Sequence, residues 1–127
     1  MSSVCKLCQL NSDLCWSHAI SDSFFRRILG ANNGKAKILD NSVIGYIECN
    51  DSWAEYQLCH SCEKHLNTSY ESYSIGVLRG HGGVAQKSNA GVTFSGIDVN
   101  QIRMFFISIL WRAACSSHDA YKEAVLP

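Results

Sequence analysis

The alternation of apolar and polar positions predicts a short chain of mixed elements. Leu14-Cys15-Trp16-Ser17-His18-Ala19-Ile20 follows the polar turn Asn11-Ser12-Asp13 and reads as a strand. Ser21 or Asp22 is placed to cap a helix over 22–29, with Phe24, Phe25, Ile28 and Leu29 on its apolar side and Gly30 as its stop. The polar connector Ala31-Asn32-Asn33-Gly34-Lys35 leads to Val43–Cys49, rich in β-formers and predicted as a second strand. After the turn Asn50-Asp51-Ser52, Tyr56-Gln57-Leu58-Cys59 runs into a helix from Glu63 to about Tyr73.

Residues 76–96 are glycine-rich, densest at Arg79-Gly80-His81-Gly82-Gly83, and predict a long loop or a loose hairpin ending near Val92-Thr93-Phe94. Asp98 caps a last helix over about 98–118, in which Ile102, Phe105, Phe106, Ile109 and Leu110 recur at helical spacing. That helix is expected to supply much of the core. Neither internal repeats nor a low-complexity tail interrupts the pattern.

Composition fits this picture and narrows it. A chain of 127 residues with 46% hydrophobic and 17% charged positions predicts one ordered α+β domain spanning 1–127. Eleven basic residues balance eleven acidic ones, which counts against a dedicated nucleic-acid binder. The most apolar run, Met104–Trp111, falls well short of the roughly 20 residues a membrane span needs, so no membrane association is expected. The start is polar, and an odd cysteine number, seven, argues against a disulfide framework; the reducing cytoplasm is the expected compartment.

Four of those cysteines carry the clearest chemistry. Cys5-x-x-Cys8 and Cys59-x-x-Cys62 form two pairs, and two intervening residues let both thiolates of a pair reach one ion from a tight turn. Together they complete the tetrahedral shell of a structural zinc ion. A thioredoxin-type redox site is the competing reading for a single pair, and His60 or His65 is an alternative ligand beside the second. Cys15, Cys49 and Cys115 lie in apolar stretches and are expected to act as small buried hydrophobes.

Cys5-x-x-Cys8, then Ser17-His18-Ala19-Ile20 on a strand, then Gln57-Leu58-Cys59-x-x-Cys62-Glu63 resembles the zinc-containing HNH superfamily, whose ββα-metal core is a treble-clef variant. The resemblance covers about 4–72, with the glycine-rich segment and the C-terminal helix as additions. It implies His18 as the base that activates water, and Gln57 and Glu63 at the positions flanking the second Cys pair, Glu63 holding Mg²⁺ or another divalent ion. The sequence departs from the family where an acidic residue usually precedes the histidine: Ser17 stands there. Gln57 replaces an asparagine. The stretch Met104–Ala113 also resembles bacterial proteins of unassigned role that share the N-terminal Cys-x-x-Cys and Ser-His segment.

Local charge bears on activity. Between Glu48 and Glu71 lie five acids (Glu48, Asp51, Glu55, Glu63, Glu71) and one base, Lys64, a poor surface for phosphate; Arg26, Arg27, Lys35 and Lys37 form a basic region read as an ordinary solvated face. His81 and the Gly80-His81-Gly82-Gly83 run lack the strand-loop-helix context of a phosphate cradle. Trp111 and Arg112 are read as core before interface. The expected function is therefore a zinc-binding, HNH-like module without nuclease activity that inhibits or bridges a larger protein or nucleoprotein partner. The alternative is a divergent metal-dependent endonuclease with His18 as general base, and a third reading is a regulator that binds nucleic acid without cutting it.

Overall fold

A computed structural model describes residues 2–39 and 44–127. The elements run in the order β1 (Ser3–Val4), β2 (Asn11–Ser12), β3 (Leu14–His18), α1 (Asp22–Ala31), β4 (Ala36–Ile38), β5 (Ile47–Cys49), β6 (Ala54–Cys59), α2 (His60–Leu66), a π-helical turn (Asn67–Glu71), α3 (Ser72–Leu78), β7 (Val84–Ser88), β8 (Gly91–Ser95) and α4 (Val99–Cys115). A 3₁₀ turn, Asp119–Tyr121, comes last. This is an α+β chain in which, among the described residues, the strands form four separate antiparallel two-stranded ribbons.

The central ribbon pairs β3 with β6, Leu14 opposite Cys59 and His18 opposite Ala54, with a bulge between Cys15 and Trp16. Sequence reading recognised β3 but not β6, because Ala54-Glu55-Tyr56-Gln57 mixes charged and amide side chains into the strand. The expected second strand at 43–49 is shorter, Ile47–Cys49, and pairs with β4, which the sequence reading placed in no element; Val43 lies outside the described residues. Helix α1 is capped by the Ser21 hydroxyl, which accepts from the Ser23 amide at 3.4 Å. It runs past Gly30 to Ala31, since the reversal is made by Asn33 and Gly34, both at positive φ, with the Gly34 amide donating to the Leu29 carbonyl at 2.7 Å.

Helix α2 starts at His60 and continues through the π turn into α3, so the helix predicted to end near Tyr73 extends to Leu78. The glycine-rich segment takes the hairpin form of the two expected, as the β7–β8 ribbon with Val84 opposite Ser95. Its base is fixed at Gly83 (φ 66°), where an added Cβ would lie 2.4 Å from the Ser95 carbonyl oxygen and 2.7 Å from Ile97.

Two small apolar clusters hold the fold. Cys5, Leu58, Cys59 and Leu66 pack with Leu14, Cys62, Tyr70 and Trp111. Ala19, Ala113 and Tyr121 pack with Ile20, Trp53 and Ala124. Phe25, Trp53 and Tyr121 meet edge-to-face, with ring centroids 5.4 and 5.8 Å apart, and so tie α1 to the C-terminal turn. One expectation for α4 fails. Phe105 is buried, but Phe106 and Leu110 are 53% and 47% exposed, because the inward stripe is Phe105, Ser108, Arg112 and Ala113. No helix among the described residues is long and apolar enough to cross a membrane.

Candidate metal centre

The first cysteine pair sits in the loop between β1 and β2. The Cys5 amide donates to the Leu10 carbonyl at 3.0 Å and the Gln9 amide to the Cys5 carbonyl at 2.9 Å, closing a tight knuckle with Gln9 at positive φ. The second pair straddles a strand-to-helix junction: Cys59 ends β6 and precedes α2, and Cys62 lies in the first turn of that helix. The β3–β6 pairing brings the two knuckles together. A hydrogen bond from the Lys6 amide to the Gln57 carbonyl, 3.1 Å, fastens them.

The four sulfur atoms of Cys5, Cys8, Cys59 and Cys62 all lie within 4.8 Å of one another, and Cys8 Sγ is 3.9 Å from Cys59 Sγ. A tetrahedron with metal–sulfur bonds of ~2.3 Å has sulfur–sulfur edges of roughly 3.8 Å, so the donor set fits a structural zinc ion. Cys5 is fully buried and Cys59 nearly so, while Cys8 is exposed. The site therefore has a solvent-facing side at Cys8.

Electrostatics separates two of the four thiols. Burial pushes the Cys5 thiol up, but backbone amides of Cys59, Cys8 and Leu7 outweigh it and hold this thiol at about 6. The Cys59 amide lies 3.3 Å from Cys5 Sγ. Cys62 is pushed up to about 12 by burial and by its three sulfur neighbours. Cys5 thus favours the thiolate more than Cys62 does, and a cation would be needed to offset the charge of the sulfurs around Cys62. A structural metal ion held by Cys5, Cys8, Cys59 and Cys62 would supply that charge and tie the knuckles, hairpin and helix to one point.

Both histidine alternatives point elsewhere. His60 Nδ1 lies 3.9 Å from Cys15 Sγ, and His65 Nδ1 3.4 Å from the Ser69 hydroxyl. Burial, then the negative charge of Glu63, Cys59 and Cys5, raises the Cys15 thiol, so this half-buried cysteine stays protonated. Cys49 and Cys115 are likewise half-buried and free.

His18, Gln57 and Glu63 are linked by a residue that sequence reading assigned to packing. Arg112 of α4 is 3% exposed; its Nη1 donates to the His18 carbonyl at 2.6 Å and to Glu63 Oε1 at 3.1 Å. Gln57, also buried, donates its amide to the Arg112 carbonyl at 2.9 Å. The His18 imidazole turns away from this pair: its Nε2 is 3.0 Å from the Ser52 hydroxyl and 3.4 Å from Asp22 Oδ1. Nothing in the local sequence marks an arginine in an apolar helix as the partner of an acid 49 positions earlier.

Several of the charges clustered in sequence are paired in space. Arg26 binds Asp22, Lys35 Nζ lies 2.9 Å from Glu48, and Lys37 Nζ sits 4.4 Å from the Tyr46 ring centre. Asp51 Oδ2 is 2.8 Å from His118 Nε2. Glu55 accepts from the amide and hydroxyl of Ser117 and lies 3.6 Å from Lys6 Nζ. His81 and Gly80–Gly83 are exposed and contribute no side chain to the cysteine cluster. Outside these pairs, the exposed aromatic residues Trp16 and Tyr56 pack edge-to-face, 5.0 Å apart, on the outer side of the central ribbon; no motif in the sequence flags them. No protein-family model, curated protein or solved structure matches this chain.

Proposed function

We propose that this chain is a zinc-stabilised module with an HNH-like, treble-clef core that works by binding a protein or nucleoprotein partner and does not cleave nucleic acid. The order knuckle, hairpin, helix, with one cysteine pair in the first and the other at the start of the last, supports the treble-clef reading. The observation that carries the loss of cleavage is Arg112. A nuclease of this type requires a divalent cation near the scissile phosphate. Here a guanidinium donates to Glu63 Oε1 at 3.1 Å, so the chain's own cation already neutralises the acid that would hold Mg²⁺, although its Oε2 has no partner among the described residues. Trp16 and Tyr56, 55% and 64% exposed beside the knuckle, are the side chains best suited to a partner, since aromatic anchors dominate interface energetics.

One observation favours the alternative endonuclease reading. Asp22, at 3.4 Å, stands by His18 Nε2 and offers the acidic orienter that Ser17 does not. The deciding experiment measures metal content and incubates the zinc-loaded chain with single- and double-stranded DNA and RNA in Mg²⁺, Mn²⁺ or Ni²⁺. One zinc per chain and no cleavage is expected. Cleavage that disappears in His18→Ala while zinc content persists would establish the nuclease instead.

A further inference from the structure

We infer that the cavity beside Tyr56 is a receptor for an arginine side chain of a protein partner, with the guanidinium laid on the Tyr56 ring and paired with the Asp13 carboxylate. This rests on the proposed function, in which the module works by binding, and specifies the group that it binds. The cavity has a volume of about 470 Å³ and is lined by Ser3, Asp13, Leu14 and Tyr56. Ligand sites span roughly 300–1,000 Å³, so the space suffices for a side chain. It lies where two ribbons meet: Ser3 belongs to β1–β2, Leu14 and Tyr56 to β3–β6, and Asp13 is the single residue between β2 and β3. The metal centre sets this meeting, because Cys5 and Cys8 lie in the loop joining β1 to β2 and Leu14 pairs with Cys59. A site built on ribbons tied to one point loses little freedom when a ligand enters.

The lining carries an unbalanced charge. Asp13 is exposed, and its carboxylate enters no ion pair among the described residues. The base nearest to it in sequence, Lys6, is committed elsewhere: its ammonium donates to the Cys115 carbonyl and lies 3.6 Å from Glu55 Oε1. None of the four lining residues is basic. The cavity thus sets a negative charge without a counter-charge beside an aromatic ring, a group whose face itself attracts cations. Trp16 meets Tyr56 at a ring-centroid distance of 5.0 Å with the planes 70° apart, which steadies the tyrosine ring.

Chemistry selects arginine among cations. A lysine ammonium is strongly hydrated and gains little on an exposed ring. A methylated ammonium is recognised by a cage of rings around it, whereas here Trp16 packs on Tyr56 and does not line the cavity. A guanidinium is planar and weakly hydrated, stacks on a single ring, and directs the N–H donors in its plane at a carboxylate. One ring, one free carboxylate and the Ser3 hydroxyl as a further acceptor match that group. The same carboxylate disfavours a nucleic-acid strand, since a base stacked on Tyr56 would bring its phosphates to Asp13 with no cation in the lining to receive them. Arginine is also among the residues that dominate interface energetics.

Heteronuclear NMR of the zinc-loaded full chain tests this, with acetyl-glycyl-arginyl-glycinamide as the probe and its citrulline, lysine and trimethyl-lysine counterparts for comparison. Saturable shifts centred on Asp13, Tyr56 and the Trp16 indole are expected for the arginine probe, with a Kd on the order of millimolar, because one side chain brings few contacts. Citrulline keeps the shape without the charge and should bind about tenfold more weakly. Asp13→Asn and Tyr56→Leu, each checked for unchanged zinc content and far-UV circular dichroism, should each weaken binding about fivefold. Glu123→Gln, at an exposed acid elsewhere, leaves it unchanged. The inference is overturned by an arginine probe without saturable shifts, by a citrulline probe that binds as well, or by an Asp13→Asn chain that binds unchanged. Tighter binding of the lysine or trimethyl-lysine probe also overturns it, as does oligothymidylate that shifts the same residues at lower concentration. A one-zinc chain that cuts no nucleic acid leaves the proposed function standing whichever probe binds, and His18-dependent cleavage would overturn that function without bearing on the shifts at Asp13 and Tyr56.

Discussion

The Glu63–Arg112 pair predicts an unequal response to removing its two halves. Side-chain exposure is 4% for Arg112 and 27% for Glu63. Substituting Glu63→Leu leaves a guanidinium buried with one carbonyl partner, the His18 oxygen. That places the cost near the upper part of the range for breaking a buried pair, about 4 kcal/mol. Arg112→Met keeps most of the aliphatic volume and strands a carboxylate that water reaches in part, so about 2–3 kcal/mol is expected. The pair is also imperfectly made: Glu63 Oε2 and Arg112 Nε are buried without a hydrogen-bond partner among the described residues. Its net worth against an apolar pair is therefore small, and Glu63→Leu/Arg112→Met should return to within about 1 kcal/mol of the parent.

The assay is urea unfolding of the zinc-loaded chain, with zinc stoichiometry verified for each variant so that Cys62, next to Glu63, is known to remain loaded. For a domain with a total stability of about 5–15 kcal/mol, these losses move the midpoint well outside experimental scatter. The reasoning fails if the double variant is as unstable as the two single losses added together, or if Arg112→Met is the costlier change. Either result would mean that Arg112 acts through its packing or through the His18 carbonyl rather than as the counter-charge of Glu63.

The metal, two glycines and a helix cap give further expectations. Removing zinc with a chelator should unfold the chain, because structural zinc contributes about 10–16 kcal/mol, comparable with the whole stability of a small domain; a native circular dichroism spectrum after verified metal loss would contradict this. Zinc affinity should rise by about tenfold or more per pH unit between about pH 6 and 8, since the Cys62 thiol, pushed up to about 12, must lose its proton to bind; competition against a chromophoric chelator measures it, and a flat profile refutes it. Gly83→Ala should destabilise by about 2 kcal/mol or more at a positive-φ position where the new Cβ meets backbone, whereas Gly30→Ala, open to solvent within α1, should stabilise by about 0.5–1 kcal/mol in thermal melts. Asp98→Ala removes the acceptor for the Asn100 and Gln101 amides and should cost about 1 kcal/mol in the same melts.

The features legible in the sequence are local ones. The metal ligands are visible because Cys-x-x-Cys spacing is set by the turn that holds each pair, and the α1 and α4 starts because Ser21 and Asp98 are caps acting within three residues. Strand β6 escaped because its pattern is not set by solvent on one side and core on the other. Tyr56 faces water, Gln57 is buried against Arg112, and Glu55 reaches the Ser117 amide, so polar residues occupy positions that alternation alone assigns to loop. Phe106 and Leu110 were read as core for the converse reason: helical periodicity reports which residues share a face, not what lies against it.

The misread positions have a common origin in the C-terminal segment, whose partners are remote in sequence. Arg112 reaches Glu63 and the His18 carbonyl, Ser117 reaches Glu55, and His118 reaches Asp51. Each contact makes a residue of the N-terminal half an anchor for α4 and the turn after it. Glu63 is bonded through one oxygen to an arginine, Glu48 to Lys35, Asp51 to His118 and Glu55 to Ser117. The C-terminal addition therefore does more than enlarge the core. It engages Glu63, Glu55, Asp51 and the His18 carbonyl, residues that the sequence alone leaves without partners.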